Sequence, residues 1–232
     1  METDALAVQD GVGRLAQWCD ATASRALHGK DFRQSVSQLL AEADAGRIKD
    51  QGRPVRAEEI ANAIDTGLND SSFFGPVATG IQRALQTGAM GDLTQLTSAK
   101  NGDYPLYRAI ICQDIPVPAV AASQFPAEAA KVRALAPTLR GYSEFWDIAS
   151  GCAGWPTPAR WTPHQWRVPA SFPPVLLTSG AYDVATPRPW AENVHRALPG
   201  STLVRWDGDG HAAWPAHSPS TVAAEISYLT RS

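Results

Sequence analysis

The chain has 232 residues, a formal net charge of −3 and 44% hydrophobic residues, so it is long enough to bury a sizeable core. It has no basic stripe and no cationic amphipathic helix, which argues against a nucleic-acid or membrane-surface partner. No run approaches the roughly 18 apolar residues of a membrane span. The polar start lacks the apolar segment of a signal peptide, so a cytoplasmic location is expected if the chain is complete. No cysteine or histidine pattern has metal-ligand spacing, and neither a metal nor another cofactor is expected.

Helical periodicity dominates the first part of the chain. Apolar residues recur at helical spacing in several stretches, which predict helices over 1–30, 31–50, 56–67, 74–85 and 124–140. Residues 107–111 fit either a strand or the end of a helix. We therefore predict that residues 1–145 form a mainly helical cap or lid.

The stretch from Pro174 to Trp214 has a different pattern. A short apolar run predicts a buried strand near 174–178, a helix follows to Leu198, and a second strand is predicted over 201–206. Asp183 follows the first strand and His211 follows the second. Since parallel strands present their carboxyl ends at one edge of a sheet, the acid and the histidine are expected at the edge where such folds place their chemistry.

An acid followed by a histidine has a mechanistic meaning. A histidine that acts as a general base needs a carboxylate to hold its tautomer and to stabilise the imidazolium that forms. The order Asp183 then His211 is the order of the last two triad members in α/β-hydrolases, where a nucleophilic serine comes first. The alternative is a loop aspartate and a loop histidine that never meet. The strand-acid-helix-strand-histidine context favours the catalytic pair.

Five segments of the sequence resemble segments of one known family. They are WCDA (18–21), AIICQD (109–114), CAGWP (152–156), GAYDVATP (180–187) and ALPGSTLVRWDGDGH (197–211). The last two resemble the segments around the catalytic acid and histidine of α/β-hydrolase-fold serine peptidases. The match is to the tripeptidyl-aminopeptidase-like C-terminal domain of secreted or cell-surface aminopeptidases akin to proline iminopeptidases.

The resemblance implies a fold and an activity. The expected class is α/β, a partial α/β-hydrolase fold in which a helical cap precedes the last strands and helices of the core sheet. Residues 146–232 would form the C-terminal segment that carries the triad acid and base. The implied enzyme releases short peptides or single residues from a peptide N-terminus. An esterase-like or lipase-like hydrolase of small acyl substrates is the alternative reaction.

The resemblance also bears on the cysteines and on Asp114. Cys112 and Cys152 lie in family-like segments, which implies a disulfide between them in an exported protein. Cys19 is then expected to be a free thiol. Asp114 has two interpretations: a carboxylate that binds substrate, or a turn or helix-cap acid followed by prolines.

One part of the expected site is missing from the sequence. A hydrolase of this type needs a G-x-S-x-G nucleophile elbow upstream of the acid, and the 232 residues contain none. The positions Ser143, Ser150 and Ser179 each lack the required spacing or context. Three interpretations follow: an inert portion of a serine peptidase, a binding or regulatory module that keeps the pair, or a subunit completed by a separate N-terminal catalytic half.

Overall fold

The structure is a computed structural model that describes residues 1–97, 104–114, 123–161, 164, 168–169, 171–212 and 218–230. The helices in chain order are α1 (Glu2–Asp20), α2 (Phe32–Asp44), α3 (Ala57–Leu68), α4 (Phe74–Thr87), α5 (Tyr104–Asp114), α6 (Phe125–Leu135), α7 (Glu144–Gly151), α8 (Arg188–Ala197) and α9 (Pro219–Leu229). The strands are β1 (Lys49–Asp50), β2 (Arg53–Pro54), β3 (Leu176–Tyr182) and β4 (Thr202–Asp209). Short 3-10 helices span Ser71–Phe73 and Gly91–Leu96. This mixture of helices and sheet agrees with the predicted partial α/β-hydrolase fold.

Several element boundaries differ from the sequence-based predictions. The first helix ends at Asp20 rather than at residue 30, and left-handed backbone follows at Leu27 (φ 63°) and Gly29 (φ 65°). The helix predicted over 124–140 ends at Leu135, before left-handed backbone at Gly141 (φ 84°). Left-handed residues interrupt a right-handed helix, so neither helix could continue through its full predicted range.

Two segments are helices that the sequence pattern did not assign. The segment that fitted either a strand or a helix end is the helix α5. The aromatic segment after Tyr142 forms α7, and the Ser143 side chain caps it by accepting a hydrogen bond from Trp146 N at 3.3 Å. A serine cap satisfies one of the backbone N–H groups that lack a partner at a helix start.

The helices before residue 100 enclose the main hydrophobic core. α1 buries Val8, Val12, Leu15 and Cys19 at helical spacing, and one face of each of α2, α3 and α4 packs around them. Val184, directly after Asp183, belongs to the same core. The helical region and the loop after β3 are therefore packed together. No helix within the described residues combines the length and apolar character of a membrane span.

The C-terminal segment contains a parallel pair of strands. β3 and β4 align from Leu176↔Thr202 to Gly180↔Trp206, and after an irregularity Tyr182 aligns with Asp209. α8 connects the strands, and α9 packs on both of them. Both strands are longer than predicted, because β3 continues through Gly180 and β4 continues past Trp206. Asp183 therefore follows its strand directly.

Candidate active site

The structure places Asp183 and His211 in contact. The Nδ1 atom of His211 lies 3.1 Å from Oδ1 and 3.1 Å from Oδ2 of Asp183. These distances are within hydrogen-bond reach, which is the geometry expected of a histidine base and its orienting acid. When Nδ1 donates to the carboxylate, Nε2 carries the lone pair that can accept a proton. The predicted meeting of the two loops is thus present in the structure.

The loop after β3 holds the Asp183 carboxylate from its other side. Oδ1 accepts hydrogen bonds from Ala185 N at 3.0 Å and Thr186 N at 2.8 Å. Oδ2 accepts one from Thr186 Oγ1 at 2.8 Å, and that hydroxyl lies 3.2 Å from His211 Nδ1. Asp183 is buried, whereas the His211 side chain is 43% exposed. The acid is therefore fixed by the protein, and the imidazole remains accessible.

The two groups shift each other's pKa. Burial acts most strongly on Asp183 and opposes its charge, but the hydrogen bonds from His211 and Thr186 outweigh it and lower the pKa of Asp183. The hydrogen bond to Asp183 is the main cause of the raised pKa of His211. Partial burial of the ring opposes that rise, and the charges of Asp183 and Glu144 add to it. The pair thus favours an imidazolium beside a carboxylate, the charge state formed when the base takes a proton.

The loop that carries His211 rests on the end of α3. The N–H of His211 donates to the carbonyl oxygen of Asn69 at 2.7 Å, and Gly210 forms a β-bridge with Asp70. Gly210 has a φ of 110°, and a Cβ there would lie 2.9 Å from Asn69 O. The close approach and the positive φ both require glycine. The sequence pattern gave no sign of this contact between the end of α3 and the loop of His211.

The structure also locates the serines considered as nucleophiles. Ser143 is fully buried as the cap of α7, and Ser150 donates to Asp147 O at 3.2 Å. Ser179 is buried within β3. Among the described residues, no serine hydroxyl forms a hydrogen bond with the His211 ring. Asp183 and His211 are thus in contact, and among the described residues none of the serines considered as nucleophiles forms a hydrogen bond with the His211 ring.

Asp114 and the two disulfide cysteines lie where α5 meets α7. A disulfide joins Cys112 of α5 to Cys152 at the end of α7, with a Cα–Cα distance of 5.3 Å, and Cys19 is a buried free thiol. Asp114 is the exposed last residue of α5. Its side chain forms no hydrogen bond or ion pair with the described residues, so a substrate-binding role for Asp114 stays a prediction. No group of three or more potential metal ligands occurs within the described ranges.

Parts of the chain are similar to known proteins. Residues 136–232 match the model of a family described as TAP-like protein. The chain is 35% identical over 141 residues to carboxylesterase B of Mycobacterium tuberculosis. This alignment covers 56% of the present chain and 26% of the carboxylesterase. The chain is 27% identical over 205 residues to the tripeptidyl aminopeptidase of Streptomyces lividans. This alignment covers 83% of the present chain and 37% of the aminopeptidase. The chain therefore spans well under half the length of these relatives.

Proposed function

We propose that this chain, whose residues 136–232 match a family described as TAP-like protein, supplies the acid and the base of a serine-hydrolase triad. The observation that carries the proposal is the contact of His211 Nδ1 with the Asp183 carboxylate at 3.1 Å. Asp183 follows β3 and His211 follows β4, which is the triad order of α/β-hydrolases. No cofactor is needed for this chemistry.

Each residue has a defined task in the proposed reaction. Nε2 of His211 accepts the proton of a serine hydroxyl while the serine oxygen bonds to the substrate carbonyl carbon. The imidazolium then donates that proton to the leaving amine or alcohol, and an acyl-enzyme remains. In the second half His211 activates water in the same way. Asp183 holds Nδ1–H and stabilises the imidazolium throughout.

The nucleophile in this proposal comes from outside the 232 residues, because they contain no G-x-S-x-G. Triad members act as a unit, so His211 and Asp183 without a serine give no acyl-enzyme. We therefore expect no labelling of the chain alone by a fluorophosphonate probe, which reacts with activated serines. A chain that is labelled alone would refute the proposed division of the triad.

The substrate class is the second part of the proposal. We favour a peptide with a free N-terminus, because the alignment with a tripeptidyl aminopeptidase covers 83% of this chain. The 35% identity to a carboxylesterase supports small acyl esters as the second candidate. Comparing a tripeptidyl ester and a short acyl ester of the same alcohol, p-nitrophenol, distinguishes the two. A higher kcat/KM for the short acyl ester would reverse the preference.

A fusion tests the proposed triad directly. The region of the Streptomyces lividans tripeptidyl aminopeptidase that precedes its match to this chain is fused to residue 1, provided that region carries the serine elbow. We expect the fusion to be labelled by the probe and to hydrolyse substrate. Asp183→Asn should then lower kcat by roughly 10⁴-fold, and His211→Ala should abolish labelling. His28→Ala, at an exposed histidine of the helical region, is the matched control and should leave the rate unchanged.

Two outcomes would favour the other interpretations. Labelling of the fusion that survives His211→Ala would mean that His211 is not the base. A folded fusion that is never labelled would favour a binding or regulatory module in which the pair has no catalytic task.

A further inference from the structure

One guanidinium of the helical region contacts the ends of both strands that lead to the proposed acid and base. Arg14 of α1 donates from Nε to Asp209 Oδ1 at 2.7 Å and from Nη2 to Asp209 Oδ2 at 2.9 Å. Its Cζ atom lies 4.5 Å from the centroid of the Tyr182 ring. Tyr182 and Asp209 are aligned across the two strands. Arg14 therefore holds the last aligned residues of β3 and β4 at the same time.

These contacts lie immediately next to the catalytic pair in the chain. Tyr182 directly precedes Asp183, and Asp209 precedes His211 by two residues. A displacement of Tyr182 or Asp209 therefore moves the backbone that carries the acid or the base. The segment from Asp209 to His211 has little freedom to move, because Gly210 is packed against the end of α3.

The ion pair has the features of a positioning contact. It is bidentate, and a guanidinium and a carboxylate joined by two parallel hydrogen bonds have a defined relative orientation. The side chains are partly shielded from water, with exposures of 35% for Arg14 and 18% for Asp209. Stacking over the aromatic ring of Tyr182 adds a third constraint on the guanidinium plane. A surface pair between flexible side chains has none of these constraints.

α1 is itself anchored at this place. A Cβ on Gly11 would lie 2.7 Å from a methyl group of Val184, so the helix approaches the residue after Asp183 closely. We infer that Arg14 is a positioning residue that sets the Asp183–His211 geometry by clamping Tyr182 and Asp209. This role rests on the proposed function for its catalytic meaning, whereas the geometric effect is measurable on the chain alone.

The charge of Arg14 and its positioning effect act on His211 in opposite directions. The charges that act on the imidazole come from Asp183 after β3 and Glu144 on α7. Asp209, the partner of Arg14, lies two residues before His211 in the chain. Removing only a positive charge near an imidazole raises its pKa. Loosening the contact with Asp183 lowers it, because that hydrogen bond is the main cause of its raised value. The sign of the change therefore separates the two effects.

The experiment is an NMR titration of the histidines in the full chain. The His211 signals are assigned by comparison with His211→Gln, and the remaining histidines serve as internal references. We expect Arg14→Gln to lower the pKa of His211 by about 0.5 unit or more and to weaken the downfield Nδ1 proton resonance. Arg14→Lys keeps the charge but loses the two parallel hydrogen bonds to Asp209. It should therefore lower the pKa of His211 to a smaller extent than Arg14→Gln. Arg83→Gln breaks the exposed Arg83–Asp92 pair as a matched control and should change neither signal.

The positioning role of Arg14 can be tested even if Arg14→Gln folds poorly, because Arg14→Lys provides a second variant. Arg14→Lys retains the charge and the aliphatic stem, and circular dichroism and a thermal melt establish its fold. A His211 pKa that is unchanged or raised in a folded Arg14→Lys chain would overturn the positioning role, whatever the fusion does. In an active fusion, Arg14→Lys should lower kcat by roughly 10-fold with KM unchanged. An inactive wild-type fusion combined with a lowered pKa in the variant would count against the proposed function and not against the clamp.

Discussion

Asp4 is a buried carboxylate whose replacement should stabilise the chain at neutral pH. It lies in α1 with no measurable exposure, and its Oδ2 atom accepts a hydrogen bond from Phe145 N at 3.2 Å. Its Oδ1 atom has no hydrogen-bond partner within the described residues. Burial is the largest influence and raises the pKa of Asp4 from 3.8 to about 6, against the opposing hydrogen bonds from Ser143 and Phe145. Ionised Asp4 is therefore unfavourable in the folded chain.

The size and sign of the effect follow from this shift. A rise from 3.8 to about 6 corresponds to about 3 kcal/mol, because one pKa unit is worth roughly 1.4 kcal/mol. The folded value is the higher one, so the stability linked to Asp4 is fully present below pH 3.8 and is lost as the pH rises through about 6. Asn has no such titration. Asp4→Asn should therefore match the wild type near pH 3.5 and exceed its free energy of unfolding by about 3 kcal/mol at pH 8.

Urea unfolding followed by circular dichroism from pH 3.5 to 8 measures this difference. Subtracting the wild-type curve removes the contributions of titrating groups that do not interact with Asp4. Burial and the charge of Asp4 both raise the pKa of Asp65, so Asp4→Asn also makes Asp65 easier to ionise, which acts in the same stabilising direction at high pH. Asp10→Asn, at an exposed position of the same helix, is the matched control and should give a difference close to zero. A difference for Asp4→Asn that is flat with pH, or a variant less stable than the wild type at pH 8, would refute the reasoning.

Three further predictions concern the site and the fold. Asp183→Asn should lower the pKa of His211, measured by NMR, because the hydrogen bond to this carboxylate is the main cause of its raised value. The stabilisation linked to His211 is present below the ordinary pKa of the imidazole and fades as the pH rises through the folded value, and the part linked to Asp183 is lost in acid, as the pH falls through the lowered pKa of that carboxyl. Gly210→Ala should destabilise the chain by roughly 1–3 kcal/mol in thermal melts, because Ala has an unfavourable φ there and its Cβ would meet Asn69 O at 2.9 Å. Cys112→Ser removes a disulfide that joins residues separated by 40 positions and should cost about 4 kcal/mol of stability in urea unfolding.

Each of these predictions has a result that contradicts it. A His211 pKa unchanged by Asp183→Asn would mean that the contact is absent in solution. Gly200 also has a positive φ, but a Cβ there would meet no atom within 4 Å, so Gly200→Ala should cost less than Gly210→Ala. Equal costs would remove the argument from the close approach. Wild-type stability that is insensitive to a reducing agent would contradict the contribution of the disulfide.

The sequence by itself predicted which acid and which histidine would meet. Asp183 and His211 each follow an apolar strand within a few residues, so local pattern was enough to place both. Helical periodicity likewise predicted most helices of the first hundred residues, since burial on one face repeats every three to four positions. Local pattern was weaker for short apolar runs, and it left α5 undecided and did not assign α7.

Only the tertiary structure showed what holds the acid and the base in place. Arg14 and Asp209 are 195 positions apart, and Asn69 contacts His211 through a backbone carbonyl. A backbone acceptor has no side-chain signature, and a distant ion pair has no periodicity, so neither can be identified from the sequence of one chain. The close packing of Gly11 against Val184 is equally invisible, because it depends on the path of α1 across the end of β3. The helical region was predicted as a lid, which stays a prediction, and in the folded chain it supports the loops of the candidate site.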